Sequence, residues 1–230
     1  MNDFKLYFEL GIEHILTWEA MDHILFVAAL CLRYSLQDWK KVAILVTAFT
    51  IGHSVTLALS ALNYVSVSAK WIEFLIPLTI AITAVNNMMQ KQGDQQKKLP
   101  LIYLFALFFG LIHGLAYASS FLDLEGKEGL VAHLFAFNLG IELAQLIVVA
   151  AVLLLSFLLL ELLKISKSGW IRVASLLILA FSLNMAFQRF PRKKNNNDEK
   201  TVFVPFSSYL YAQHTQRTKH TEQPWLQSRQ

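Results

Sequence analysis

The chain has 230 residues, of which 55% are hydrophobic and 16% charged, against about 25% charged in an ordinary soluble domain. Its apolar residues are gathered into long blocks, which excludes a soluble globular domain. The net charge of +4 is carried by loops and tail, and fits an anionic membrane leaflet rather than nucleic acid.

Apolar runs near residues 20–37, 42–63, 72–89, 100–122, 130–163 and 170–188 each approach or exceed the ~18 residues of a membrane span. Helices rather than barrel strands follow from the pattern, because VAAVLLLSFLLLELL (149–163) is apolar all round instead of alternating. The fold class is therefore all-α: a polytopic transmembrane helical bundle of about six spans within residues 1–188. The start, MNDFKLYFELG, lacks a small-residue cleavage site after a short apolar core and does not read as a signal peptide. Residues 4–17 read as an amphipathic segment against the membrane surface, with a short inserted helix as the alternative. Trp18, Trp39, Trp71 and Trp170 fall at span ends, where an amphipathic ring belongs. Cys31 is the single cysteine and reads as a packed thiol. From Arg189 to Gln230 the chain is polar and reads as a disordered tail.

Lys and Arg set the orientation. Arg33, Lys40, Lys41, Lys91, Lys97, Lys98, Lys164, Lys167 and Arg172 lie in three alternate loops, against Lys5, Lys70 and Lys127 in the others. This predicts an integral membrane protein with its N-terminus outside and the three basic loops inside. Six spans would also leave Arg189, Arg192, Lys193 and Lys194 outside, against the same rule.

Polar groups inside the spans carry the functional signal, since a charge at mid-membrane costs about 2.5–3.5 kcal/mol on insertion scales. In chain order they are Asp22 and His23; His53 with Thr56 and Ser60 on its face; Glu73 and Asn87 flanking Pro77; and His113 with Tyr117 and Ser120. Asn138, Glu142 and Gln145 then recur at i, i+4 and i+7, one polar stripe on an otherwise apolar helix. Taken singly, Asn87, Gln145, Ser60 or Ser120 reads as a helix–helix hydrogen bond, Gly110 and Gly114 as close packing, and His133 as an interfacial residue. Taken together, imidazoles and carboxylates pointing inward form the ligand set of Ni²⁺, Co²⁺, Zn²⁺ or Fe²⁺, without the thiolates of a Cu(I) site. A proton relay and plain helix–helix contacts remain open beside that reading. An echo between Phe49-x-x-x-His53 and Phe109-x-x-x-His113 fits the paired elements of a transporter.

GIEHILTWEAMDHILF, FTIGHSVTLAL, the span from IEFLIPL to AVNN, FGLIHGLAYA and FNLGIELAQL resemble, in order, the signatures of the HupE/UreJ family over roughly residues 8 to 150. The likeness is strongest to its second branch. The resemblance implies a Ni²⁺ permease or Ni²⁺-handling membrane protein, associated with hydrogenase or urease maturation and with a metalloenzyme as a possible partner. It places the metal path on inward His and acidic side chains. His23, His53 and His113 are the expected ligands, Asp22 and Glu142 ligands or orienters of the imidazoles, and His14 the outward entry residue; Glu73, Asn87, Asn138 and Gln145 are supporting polar groups. The chain departs from the hydrogenase-associated branch where Phe109 and Ala116 replace a His and a Glu. On a continuous helix Asp22 and His23 would point about 80° and 180° away from His14, so one shared site requires a break near TWE, residues 17–19. An intramembrane Zn²⁺ hydrolase and an assembly factor for a metalloenzyme are the rival readings; no ATP-binding loop is visible.

Overall fold

The computed structural model describes residues 3–62, 64–65, 67–89, 99–124 and 129–191, and no strand occurs among them. Seven helices follow in order: α1 (Asp3–Leu16), α2 (Met21–Cys31), α3 (Trp39–Ala61), α4 (Ala69–Met89), α5 (Leu99–Leu124), α6 (Leu130–Phe157) and α7 (Lys167–Gln188). The all-α bundle expected from the apolar blocks is what the chain forms. Helices α3, α4, α6 and α7 are each long and apolar enough to cross a membrane, and α1 with α2 makes a fifth span when the bent pair is counted as one. Helix α5 has 26 residues, with the apolar stretch Ile102–Ala116 at its centre. The expected tail from Arg192 onward, the loop lysines at 91, 97, 98 and 127, and Trp225 lie outside the described residues.

The first expected span is where sequence and structure part. Helix α2 has only 11 residues, about 16 Å of rise, against a hydrocarbon core of about 30 Å. A 3₁₀ turn at Trp18–Ala20 joins it to α1 through extended backbone at Thr17 (φ −82°, ψ 157°), and the two helices meet at 70°. Helix α1 packs along α6 and buries Tyr7, Leu10, Gly11, His14 and Ile15. Two glycines make this possible, because a Cβ on Gly11 would collide with the Phe137 carbonyl and one on Gly140 with that of Phe8. Small residues that let helix backbones touch are how helices associate in lipid, where apolar burial supplies no driving force between them.

Helices α3 and α5 make the tightest pair in the same way, running side by side in the same direction. Gly110 faces the Phe49 carbonyl, Gly114 the His53 carbonyl, and Gly52 the Leu107 carbonyl. The register of this pairing is that of the sequence echo, so Phe49 and His53 on α3 lie beside Phe109, Gly110 and His113 on α5. Helix α4 runs through Pro77 without interruption and packs on α7. Asn87 ties its far end to α2, donating to the Ala29 carbonyl (2.6 Å) while its own carbonyl accepts from Arg33 (2.9 Å). Arg33 is thus buried at a helix junction rather than free in a loop.

Replacing Gly140 by Leu should separate α1 from α6. An overpacked core contact of this kind costs about 1–3 kcal/mol, and the expected outcome is a lower thermal midpoint in detergent together with a shift in the His14 ring signals. An unchanged midpoint would show that α1 is not held this way.

Candidate metal centre

The break between α1 and α2 decides the geometry. It brings His14, at the end of α1, and His23, in the first turns of α2, against His53 on α3, with one ring nitrogen from each within 4.8 Å of the other two. All three are buried, at 5%, 6% and 0% exposure. Ring centroids stand 4.8 Å apart for His14 and His23, 5.9 Å for His14 and His53, and 6.5 Å for His23 and His53. His113 on α5 adjoins His23 at 5.0 Å, is 1% exposed and stands just outside the three-nitrogen group. Such a set of converging imidazoles can hold a borderline transition metal.

Asp22 belongs to this centre without being among the three grouped residues. Its Oδ1 accepts from the His23 backbone N–H (2.8 Å) and lies 2.9 Å from His23 Nδ1. A carboxylate oxygen can only accept there, so Nδ1 carries the proton and Nε2 is left with its lone pair free for a ligand. Its Oδ2 accepts from Arg189 Nη1 at 2.9 Å. Arg189, at the C-terminal end of α7, is thus the ion-pair partner of Asp22.

The floor of the cluster is aromatic. Phe49 and Phe26 approach His113 at 5.0 and 5.3 Å, Phe49 approaches His23 at 6.5 Å, and Phe137 approaches His14 at 5.5 Å. These rings keep the imidazoles dry, and dry electrostatics are strong. Their place in the site was not read from the sequence, where Phe looks like ordinary core.

The α6 stripe turns toward α3, where it meets residues three and six positions before His53. Asn138 donates to the Leu134 carbonyl (2.7 Å) and is the polar neighbour of the His53 ring. Gln145, fully buried, pairs with Thr50 at 2.9 Å, and Glu142 accepts from Thr47 at 2.5 Å. Glu142 and Gln145 are thus outside the cluster, along a polar seam that leads away from it. Thr50 shares the helical face of His53 and could have been found by the spacing that singled out Thr56, whereas Thr47 lies about 120° round the helix. Thr56 itself only bonds back to the Gly52 and His53 carbonyls, both at 3.2 Å.

The other expected groups are dispersed. His14, anticipated at an outer entrance, is inside the cluster. Glu73 is half-buried near Arg189 and Asp22, and Asn87 fastens α4 to α2. His133 stacks on Tyr7 with centroids 4.2 Å apart. The side chains of Tyr117 and Ser120 lie outside the described residues.

Fold and site define a polytopic helical membrane protein built around a buried histidine cluster. The chain belongs to the HupE/UreJ family, whose model matches residues 1–189, beyond both ends of the stretch that carried the sequence resemblance. No curated protein and no solved structure matches it.

Neither ring nitrogen of His113 has a hydrogen-bond partner among the described residues, and an unsatisfied buried polar group costs about 1–3 kcal/mol. His113→Leu should accordingly raise the thermal midpoint of the metal-free protein. A lower midpoint would mean that the ring has polar partners of its own.

Proposed function

We propose that the protein moves or handles a divalent transition metal, Ni²⁺ first among the candidates, and that His14, His23 and His53 are its ligands. The observation that carries this reading is the convergence of three buried imidazoles from three helices within 4.8 Å, one of them oriented by a carboxylate. Neutral imidazole suits Ni²⁺, Co²⁺, Zn²⁺ and Fe²⁺ alike, so preference for Ni²⁺ rests on the family. The only cysteine, Cys31, is buried in the apolar core, so no thiolate joins the donor set. In this reading His113 is a fourth imidazole that accepts the ion as it leaves, and Asp22 orients His23.

The cation would travel as the protein's cargo. Imidazoles replace part of its hydration shell, and release requires that no single position hold it too strongly. The seam of His53 with Asn138, Thr50 with Gln145 and Thr47 with Glu142 supports a route onward between α3 and α6. Glu142 would offset the ion's charge there. The same reading puts the N-terminus outside an inner membrane and leaves a maturation partner for a metalloenzyme as the recipient of the ion.

One observation favours a second reading. Three histidines bordered by Phe49 and Phe137 also resemble the His₃ environment of a catalytic Zn²⁺ with an open fourth position. The two readings part on flux. Full-length protein should retain a divalent metal by elemental mass spectrometry, and in liposomes it should pass Ni²⁺. His14→Ala, His23→Ala and His53→Ala should each abolish flux and weaken, without eliminating, retention of the metal. Glu142→Gln should bind Ni²⁺ normally yet slow its passage about tenfold or more, as expected when a positioned charge along the route is lost. Stoichiometric Zn²⁺ without flux would favour the hydrolase, and neither metal nor flux in folded protein would contradict both.

Proton and metal compete for the same nitrogen lone pairs, so acidification must weaken binding. Ni²⁺ affinity should therefore fall as the pH is lowered, and metal released by acid should rebind on return to neutral pH. Affinity that stays constant down to the pH at which the protein unfolds would count against imidazole ligands.

A further inference from the structure

The Asp22–Arg189 pair joins the last described helix to the first histidine of α2. Asp22 lies in the first turn of α2, and Arg189 caps the C-terminus of α7, its N–H donating to the Met185 carbonyl at 2.9 Å. Each charge thus sits at the helix end whose dipole favours it. The pair is dry, with side-chain exposures of 8% for Asp22 and 14% for Arg189. The next residue, Phe190, stands edge-on to Phe74 of α4 with centroids 5.3 Å apart, which fixes the end of α7 in place.

The two oxygens of Asp22 have separate duties. Oδ1 takes both the backbone N–H and the Nδ1 side of His23, while Oδ2 is taken by Arg189. A carboxylate held only through Oδ1 could rotate about its Cβ–Cγ bond and exchange its oxygens. Held at both ends, it has one orientation, and so does the imidazole bonded to it. His23 then keeps Nε2, buried and without a hydrogen bond among the described residues, as its open nitrogen. A side chain 166 residues farther along the chain than His23 thereby enters the arrangement of the cluster without touching it.

We propose that Arg189 is a positioning residue for the metal centre, acting through Asp22 to fix the tautomer and orientation of His23. The metal side of this claim rests on the proposed function above, whereas the tautomer side does not. Asp22 becomes the relay between α7 and the cluster, and the family match, which ends at residue 189, includes the relay's last member.

The test uses full-length protein in detergent, labelled with ¹⁵N in its histidine rings, and Ni²⁺ as the probe. In the metal-free wild type, His23 should show one tautomer, protonated at Nδ1. Arg189→Ala should mix the tautomers and weaken Ni²⁺ binding by about 10- to 100-fold, the usual loss when a residue behind a metal ligand is removed. Arg189→Lys, which restores one charged donor, should recover the single tautomer and most of the affinity. In an Asp22→Ala background, Arg189→Ala should change Ni²⁺ binding no further, because the relay is already cut.

An unchanged His23 tautomer in Arg189→Ala would overturn the proposal. So would a loss of affinity that multiplies with that of Asp22→Ala, which would make Arg189 a general brace of the bundle. If Arg189→Ala does not fold, Arg189→Met fills the same space without a donor and faces the same criteria. A wild type that binds no Ni²⁺ but keeps one His23 tautomer lost in Arg189→Met would contradict the metal reading and leave the relay standing.

Discussion

An unbroken α-helix would turn His23 about 180° away from His14, and the site depends on the break at residues 17–20 that removes this separation. The break contains no proline and no glycine. It is imposed from outside, by the close seating of α1 on α6 through Gly11 and Gly140 and by the ties that hold α2 to α4 at Asn87 and to α7 at Arg189. With both helices fastened to different neighbours, the four residues between them must make the 70° turn. The turn is what lets two histidines nine positions apart share one pocket.

The framework around the cluster answers a second demand. Four imidazoles in an apolar bundle are an unfavourable arrangement, and they hold their places because the surrounding contacts are backbone-close and leave no room to relax. Gly52, Gly110 and Gly114 bring α3 and α5 together so that His53 and His113 stand on adjoining helices. Phe26, Phe49 and Phe137 fill the space about the rings. Beside the cluster itself the charged groups form one chain of bonds, from His23 through Asp22 to Arg189. Stability is thus concentrated in glycine seams and aromatic packing, and the polar centre draws on it, as sites of function in marginally stable proteins do.

Much of this was legible from residue types and spacing, and the gaps have physical causes. Span positions were clear because a bilayer demands long apolar runs. The stripe of Asn138, Glu142 and Gln145 was legible as a face, but not its partner, since a helical wheel says nothing of the neighbouring helix. The need for a break near residues 17–19 followed from geometry, while its occurrence depended on tertiary ties that no local propensity encodes. Arg189 was misread as a tail charge because charge counting treats every arginine near a span end as solvated. His14 was expected at an entrance because α1 looked like a surface helix, whereas the mutual fit of Gly11 and Gly140 seats one face of α1 on α6 and brings His14 into the cluster.

X-ray absorption spectroscopy of the Ni²⁺-loaded full-length protein tests the central claim most directly, because it counts the imidazoles that surround the ion. Three histidine nitrogens at about 2.0–2.1 Å, the range of a metal–imidazole bond, are predicted for the wild type, and two in each of His14→Ala, His23→Ala and His53→Ala. A first shell of water and carboxylate oxygens, or one that His14→Ala leaves unaltered, would contradict a site shared across the break between α1 and α2.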